Sequence, residues 1–340
     1  APTVIAQDMT VQIDANGTVK ITAADIDNGS SDNCDIETWS LDTTSFDCTN
    51  VGENTVTLTV SDVNGNSATA TAIVTVEDSI APTVVAQNMT VQIDANGTAS
   101  ISAADIDNGS SDNCEIETWS LDITSFDCAN VGENTVTLTV TDVNGNSASA
   151  SAIVTVEDSI APTVIAQDMT VQIDANGTAS ISAADIDNNS SDNCDIKTWS
   201  LDTTSFDCTN VGENTVTLTV TDVYGNSSTT TAIVTVEELV APNASCAAPF
   251  TIQLDETGSA SITVEDINNG SSDNCGIESM SIDVTSFDCN DVGENTVTLT
   301  VTDTSGNTSM CTTIVTVEDQ IAPIVITQNI SVELDSNGNA

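Results

Sequence analysis

The sequence predicts an all-β chain of tandem sandwich domains, and three observations predict it. The first is a repeat: Ala1-Pro2-Thr3-Val4 returns as Ala81-Pro82-Thr83-Val84 and again as Ala161-Pro162-Thr163-Val164. Self-similarity at a fixed period marks an array of like units. A diverged copy opens at Ala241-Pro242, and another at Ala322-Pro323. The second observation is short stretches in every unit that alternate apolar and polar residues, the pattern of half-buried strands. The third is the lack of any helical periodicity; short strands parted by turns, without helices, pack as two facing sheets. The expected units are 1–80, 81–160, 161–240 and 241–321, with 322–340 the truncated start of a fifth. A unit of about 80 residues buries only ~60% of its unfolded surface, so staples or bound ions are needed to support it.

The elements of the first unit follow in order. Met9-Thr10-Val11-Gln12-Ile13 alternates as a strand, Asp14-Ala15-Asn16-Gly17 turns, and Val19 and Ile21 carry a second strand. Asp25 to Asn33 reads as a long polar loop, and Ile36 to Leu41 as a third strand with Trp39 inside it. After a Cys48-to-Asn54 connection, Val56, Leu58 and Val60 face one way along a clean strand. Asp62-Val63-Asn64-Gly65-Asn66 reads as a tight hairpin, because Asn-Gly supplies the positive φ angles of a type I′ turn. The last strand sets Ala68, Ala70, Ala72, Val74 and Val76 on one face. That small-residue face predicts close sheet packing around Trp39 and Phe46. Trp39, Trp119 and Trp199 are expected in the core, with Met280 filling the same volume in the fourth unit.

Charge narrows the partners. There are 52 acidic residues against Lys20 and Lys197, no histidine, and a net charge of −50. Acidity of this kind can mean disorder, but 39% hydrophobic content with strand patterning in every unit argues for folded domains. A polyanion repels nucleic acid and anionic lipid and attracts cations. No apolar run is long enough to span a bilayer, so no direct membrane insertion is expected in this segment. The absence of histidine excludes Ser-His-Asp catalysis, and a glycosidase-type carboxylate pair copied into near-identical units without a cleft is not expected. No enzyme is predicted. Two lysines in the whole chain also exclude lysine isopeptide cross-links as the general staple.

The cysteines supply another staple. Cys34/Cys48, Cys114/Cys128, Cys194/Cys208 and Cys275/Cys289 give one pair per unit, and Cys246 and Cys311 both fall in the fourth. An even count at fixed spacing implies disulfides and an oxidising compartment. Zinc, the rival, would lack histidine and any Cys-x-x-Cys. The expected bonds are local clips within each unit, worth about 3 kcal/mol in the chain-entropy account. Cys246–Cys311 would tie the first strand of unit four to its last.

At this point the residues carry a family resemblance. Asp303-Thr-Ser-Gly306-Asn307 before Cys311, with Cys246 and Asp273-Asn274-Cys275-Gly276 upstream, resembles a hyalin (HYR) repeat, an immunoglobulin-like module of extracellular adhesion proteins. Units one to three depart from it by lacking the first-to-last-strand cysteine pair. The whole array is similar to repetitive regions of very large Bacteroidetes surface adhesins, including gliding-motility adhesins of the SprB type. The resemblance implies tandem immunoglobulin-like β-sandwich domains in an extended rod, exposed at the cell surface. Such a segment would act as a stalk projecting an adhesive region, its partners the neighbouring repeats and, through other regions, extracellular polysaccharide or a solid surface. The alternative is repeats that themselves bind polysaccharide multivalently.

Tracking strand direction through such a fold puts the acids at the junctions. Glu77 and Asp78 leave one unit where Asp105, Asp107, Asp112 and Asp142 of the next are expected, with Asn144 nearby. The second junction gathers Glu157, Asp158, Asp185, Asp187, Asp192 and Asp222. The third gathers Glu237, Glu238, Asp266, Asp273 and Asp303, Asn268 replacing one acid. Carboxylates and amide oxygens without nitrogen or sulfur form a hard-oxygen set suited to structural Ca²⁺. The competing reading is that they are solvated turn residues, since Asp and Asn favour turns.

Overall fold

The computed structural model describes residues 1–339. In the first repeat the strands are β1 (Met9–Gln12), β2 (Thr18–Lys20), β3 (Ile36–Leu41), β4 (Ser45–Asp47), β5 (Gly52–Asp62) and β6 (Ser67–Glu77). One sheet runs β1-β6-β5-β3 and the other pairs β2 with β4. β5 and β6 form an antiparallel hairpin from Gly52 opposite Val76 to Ser61 opposite Ser67. β1 lies parallel to β6, with Met9 opposite Val74 and Gln12 opposite Glu77. The alternation read from the sequence sets Val56, Leu58, Val60, Ala72, Val74 and Val76 inward, and all are buried. Ile13, Ile21, Ile26 and Phe46 complete the core. The same sheet orders recur in each later repeat, so the chain is all-β with four sandwich-like units. No helix among the described residues is long and apolar enough to cross a membrane.

The chain divides into two compact units. One comprises Ala1–Pro162 with Asp192–Ile196 and Asp222–Asn226; the other comprises Thr163–Ser191, Lys197–Thr221 and Ser227–Ala340. Every contact described below lies inside one of them.

Three local expectations are corrected. The stretch predicted as loop begins with a one-turn helix, α1 (Ala23–Ile26). Asp25 accepts both the backbone N–H and the hydroxyl of Thr22 at 2.7 Å, a capping box that fixes the turn while Ile26 is buried. The hairpin at Asp62 is wider than a type I′ turn. Only Gly65 takes a positive φ, and the Asp62 carboxylate gathers the N–H groups of Asn64 and Asn66 at 2.9 and 2.8 Å. The tryptophans are not core: Trp39, Trp119 and Trp199 are each 43% exposed. Trp39 stands opposite buried Val60, on the inward side, but β3 is the sheet's edge, where the ring is only partly covered. Beyond the fourth repeat, residues 319–339 form no strand, and Ile324, Val325 and Ile326 are exposed.

Candidate metal centres and the staples beside them

The junction between repeats one and two is built from three short pieces of backbone. β6 ends at Glu77, and Asp78 follows, its Oδ1 accepting the N–H of Ile80 at 3.1 Å. The loop Asp112-Asn113-Cys114 is closed by the Cys114 N–H, which donates to Asp112 Oδ2 at 2.9 Å. In the hairpin after the strand Gly132–Asp142, Asp142 accepts the N–H groups of Asn144 and Asn146, each at 2.8 Å. Two amides lock the pieces together. Asn113 Nδ2 donates to Asp78 Oδ1 at 3.2 Å, and Asn146 Nδ2 donates to the Asp78 carbonyl at 3.1 Å and to Asp142 Oδ2 at 2.8 Å.

One carboxylate oxygen from each of Asp78, Asp112 and Asp142 lies within 4.8 Å of the others. Asp142 is fully buried and Asp78 almost so. Four buried oxygens find no hydrogen-bond donor: Asp78 Oδ2, Asp112 Oδ1, Asn113 Oδ1 and Asn144 Oδ1. Each is an acceptor, and an unsatisfied buried polar group costs about 1–3 kcal/mol. A hard divalent cation satisfies acceptors of this kind without needing a donor, and carboxylates with amide oxygens fit Ca²⁺.

The second junction repeats the arrangement with one change. Asp158, Asp192 and Asp222 bring oxygens within 4.8 Å, and Asp158 Oδ2, Asp192 Oδ1 and Asn193 Oδ1 are the buried oxygens without donors. Burial, with the charges of Asp222 and Asp158, outweighs the Cys194 N–H and raises the Asp192 pKa above the ordinary aspartate value. Tyr224 stands where the first junction has Asn144, and its hydroxyl donates to the Cys128 carbonyl instead of offering an amide oxygen.

At the third junction Glu238 replaces the aspartate. Asn307 Nδ2 donates to Glu238 Oε2 and to Asp303 Oδ2, each at 2.8 Å, while Asp273 Oδ1 and Asn274 Oδ1 stay without donors. Among the described residues, only the first two junctions bring three carboxylates within 4.8 Å of one another.

The other predicted acids are occupied elsewhere. Glu77 and Glu157 accept from the side chains of Gln12 and Gln92 at the strand ends, and Glu237 is exposed. Asp105, Asp185 and Asp266 cap the one-turn helices through Ser102, Ser182 and Thr263. Asp107 and Asp187 take the N–H groups of Ser110 and Ser190.

The disulfide pairing predicted from spacing is overturned. Cys48 bonds Cys114, Cys128 bonds Cys194 and Cys208 bonds Cys275, each linking one repeat to the next across 66, 66 and 67 residues. Cys34 and Cys289 carry no disulfide and are exposed. The 14-residue spacing misled because β3 intervenes: Cys34 precedes the strand and Cys48 lies in the 3-10 turn Cys48–Asn50 beyond it. Six strand residues span about 20 Å, so the two cysteines sit at opposite ends of their repeat. Cys246 and Cys311 pair within repeat four.

Sequence reasoning missed the residues that seal each junction around its staple. Asn113 Nδ2 also reaches the Asp14 carbonyl, and Asn193 and Asn274 repeat the bond to Asp94 and Asp174. A Cβ on Gly17 would meet the Asn113 carbonyl oxygen at 2.6 Å and Cys48 Sγ at 2.9 Å. Gly17 therefore serves the junction as well as its own turn. The available signal was the Asn-Cys pair, which recurs at Asn33-Cys34, Asn113-Cys114, Asn193-Cys194 and Asn274-Cys275.

No family model matches the chain, and no curated protein matches it. Among solved structures it is similar to extracellular cadherin domains 1–5 of protocadherin gamma B2, at 14% identity and a TM-score of 0.30, covering 95% of this chain and 81% of that one. It is similar to domains EC1–4 of Drosophila N-cadherin at 12% identity and a TM-score of 0.30, covering 92% and 99%. The titin I-band fragment I67–I69 aligns at 12% identity with a TM-score of 0.35, covering 70% and 99%. Likenesses at this level assign no ligand or partner.

Proposed function

We propose that the chain is a structural segment of a secreted or cell-surface adhesin, a semi-rigid stalk of repeats 1–80, 81–160, 161–240 and 241–321. Its junctions are held by disulfides and stiffened by Ca²⁺, and the stalk projects an adhesive region for surface attachment or gliding. One observation carries this reading: at two junctions a cross-repeat disulfide adjoins three converging carboxylates and buried oxygens that have no protein donor and suit a cation. A disulfide alone leaves a swivel, whereas an ion held by residues of both repeats removes it. The disulfides themselves favour an oxidising, extracellular setting. Small-angle scattering of the oxidised chain in calcium and in chelator tests the proposal. The expected result is a shorter and more variable maximum dimension in chelator; identical profiles would overturn it.

A second reading is favoured by the exposed tryptophans. Trp199 lines an open surface pocket with Ala184 and Asp187, and the ring recurs once per repeat in the first three. In this reading the repeats themselves bind polysaccharide weakly and multivalently. Retention of the chain on a polysaccharide matrix, lost in a Trp39→Ala, Trp119→Ala, Trp199→Ala variant of unchanged melting temperature, would support it. Equal retention of both proteins would remove it.

A further inference from the structure

We infer that the tryptophan site of each of the first three repeats takes a protonated amino sugar, its ring on the indole and its ammonium on the neighbouring aspartate. The inference rests on the reading in which the repeats themselves bind polysaccharide, and it names the sugar. Each site is assembled within one repeat. In the third, the one-turn helix Ala183–Ile186 and the residue after it supply Ala184 and Asp187, and the edge strand Ile196–Leu201 supplies Trp199. Together they line an open pocket of about 300 Å³. Ala24, Asp27 and Trp39 hold the same positions in the first repeat, and Ala104, Asp107 and Trp119 in the second.

The fourth repeat shows what the fold itself requires there. Glu265, Asn268 and Met280 stand in place of the alanine, the aspartate and the tryptophan. Asn268 Oδ1 still accepts the Ser271 N–H at 3.0 Å, just as Oδ1 of Asp27, Asp107 and Asp187 accepts that of Ser30, Ser110 and Ser190 at 3.2 Å. The turn therefore needs an oxygen at this position and not a charge. Met280 packs against the core of its repeat, so the edge strand needs an apolar side chain there and not an indole. Carboxylate and exposed ring occur together in three repeats, and folding asks for neither.

Charge selects the ligand. Burial raises the Asp107 pKa, but hydrogen bonds from Ser110 and Gly109, with a smaller one from the Trp119 indole, outweigh it and hold the group below the ordinary aspartate value. No protein cation neutralises these carboxylates. Among the described residues the one ion pair joins the N-terminus to Asp32, and Lys197, two residues before Trp199, makes none. An acidic sugar would meet both this charge and the net −50 of the chain and be repelled. A protonated amine instead pairs with the aspartate and is attracted to the face of the indole. The C–H face of the sugar packs on the same ring. A flat apolar platform with a carboxylate at its rim matches a rigid ring carrying an amine better than the flexible stem of a lysine.

The test is a fluorescence titration of the full oxidised chain in calcium, because Trp39, Trp119 and Trp199 are the only tryptophans and each lies at one of these sites. A short glucosamine oligomer, at a pH below the pKa of its amines, is compared with the N-acetylated oligomer of the same length. The amine form should bind about ten-fold more tightly, from an exposed cation–π contact and a surface ion pair acting together. Asp27→Asn, Asp107→Asn and Asp187→Asn in one chain should bring the two oligomers to parity while the acetylated one still binds, since Asn268 shows that asparagine keeps the turn. Equal affinity of the native chain for both oligomers overturns the inference and leaves the polysaccharide reading standing; no fluorescence change with either removes both. A preference unaltered in the asparagine chain also overturns it, because the preference would then come from overall charge. So does equally tight binding of trilysine, which brings amines without a sugar ring.

Discussion

Chelation of divalent cations from the oxidised chain should lower its melting temperature by about 10–20 °C, and the size of the effect follows from the junctions. Three carboxylate oxygens within 4.8 Å repel pairwise by on the order of 3 kcal/mol at an effective dielectric of about 20. Part of this is already offset, because Asp142 accepts two backbone N–H groups and an amide. What remains is available to a cation. Calcium at about a hundred times its dissociation constant adds about 2.7 kcal/mol per site, and in domains of this size each kcal/mol moves the midpoint by about 4–8 °C. The assay is thermal unfolding by circular dichroism in calcium and in chelator at matched ionic strength, because a chain of net charge −50 gains from salt of any kind. Asp112→Asn should flatten the calcium response of the first junction without disturbing the Cys48–Cys114 bond. Superimposable melts in calcium and chelator would refute the reasoning, as would a calcium response identical in the Asp112→Asn chain.

Other outcomes follow from the same geometry. Replacing Cys48 and Cys114 together by serine should cost about 4 kcal/mol of unfolding free energy, the entropy of a loop this long, read by denaturant titration; a cost near zero would mean the staple bears no load. Gly97→Ala should destabilise the second junction, since its Cβ would sit 2.6 Å from the Asn193 carbonyl oxygen at a φ of +76°, and limited proteolysis would then cut there first. Calcium affinity at the second junction should weaken as the pH falls into the carboxylate range. The raised pKa of Asp192 means the folded chain holds an extra proton between the ordinary value and the raised one, so calcium must displace it; in chelator, the same group makes stability fall as pH rises through that window. Tyr224→Asn should tighten calcium at the second junction by restoring an amide oxygen, and because Tyr224 is the sole tyrosine, bound terbium there should lose its tyrosine-excited component in the variant.

The strands were legible because each is an amphipathic run of period two. Val56, Leu58 and Val60 face inward as the alternation requires. Convergence of Asp78, Asp112 and Asp142 was also legible, since it needed only strand direction and chain order. The rest was hidden by differences of a few ångströms that spacing does not encode. Asp105 and Asp107 lie in the same acidic stretch as Asp112, yet a serine three residues before one and three after the other draws each into a local turn. Cysteine spacing misled for a related reason, because separation in sequence says nothing of separation in space when a whole strand lies between. The tryptophan's position on the inward side was readable, but its place on an edge strand required the sheet order.

One tripeptide does three jobs at each of the first two junctions. In Asp112-Asn113-Cys114 the aspartate enters the carboxylate cluster, the asparagine seals the seam through Asp78 and Asp14, and the cysteine makes the staple. These jobs are coupled through the energetics of like charge. Bringing Asp112 to Asp78 and Asp142 without a cation is uphill, and a covalent bond at the adjacent residue holds the loop there regardless. The staple therefore prepays the approach of the carboxylates, and a cation would meet a site already assembled. Reduction should accordingly weaken calcium binding as well as stability, and calcium should in turn speed reoxidation of the Cys48–Cys114 pair. If reoxidation runs at the same rate in calcium and in chelator, the staple and the cluster act independently.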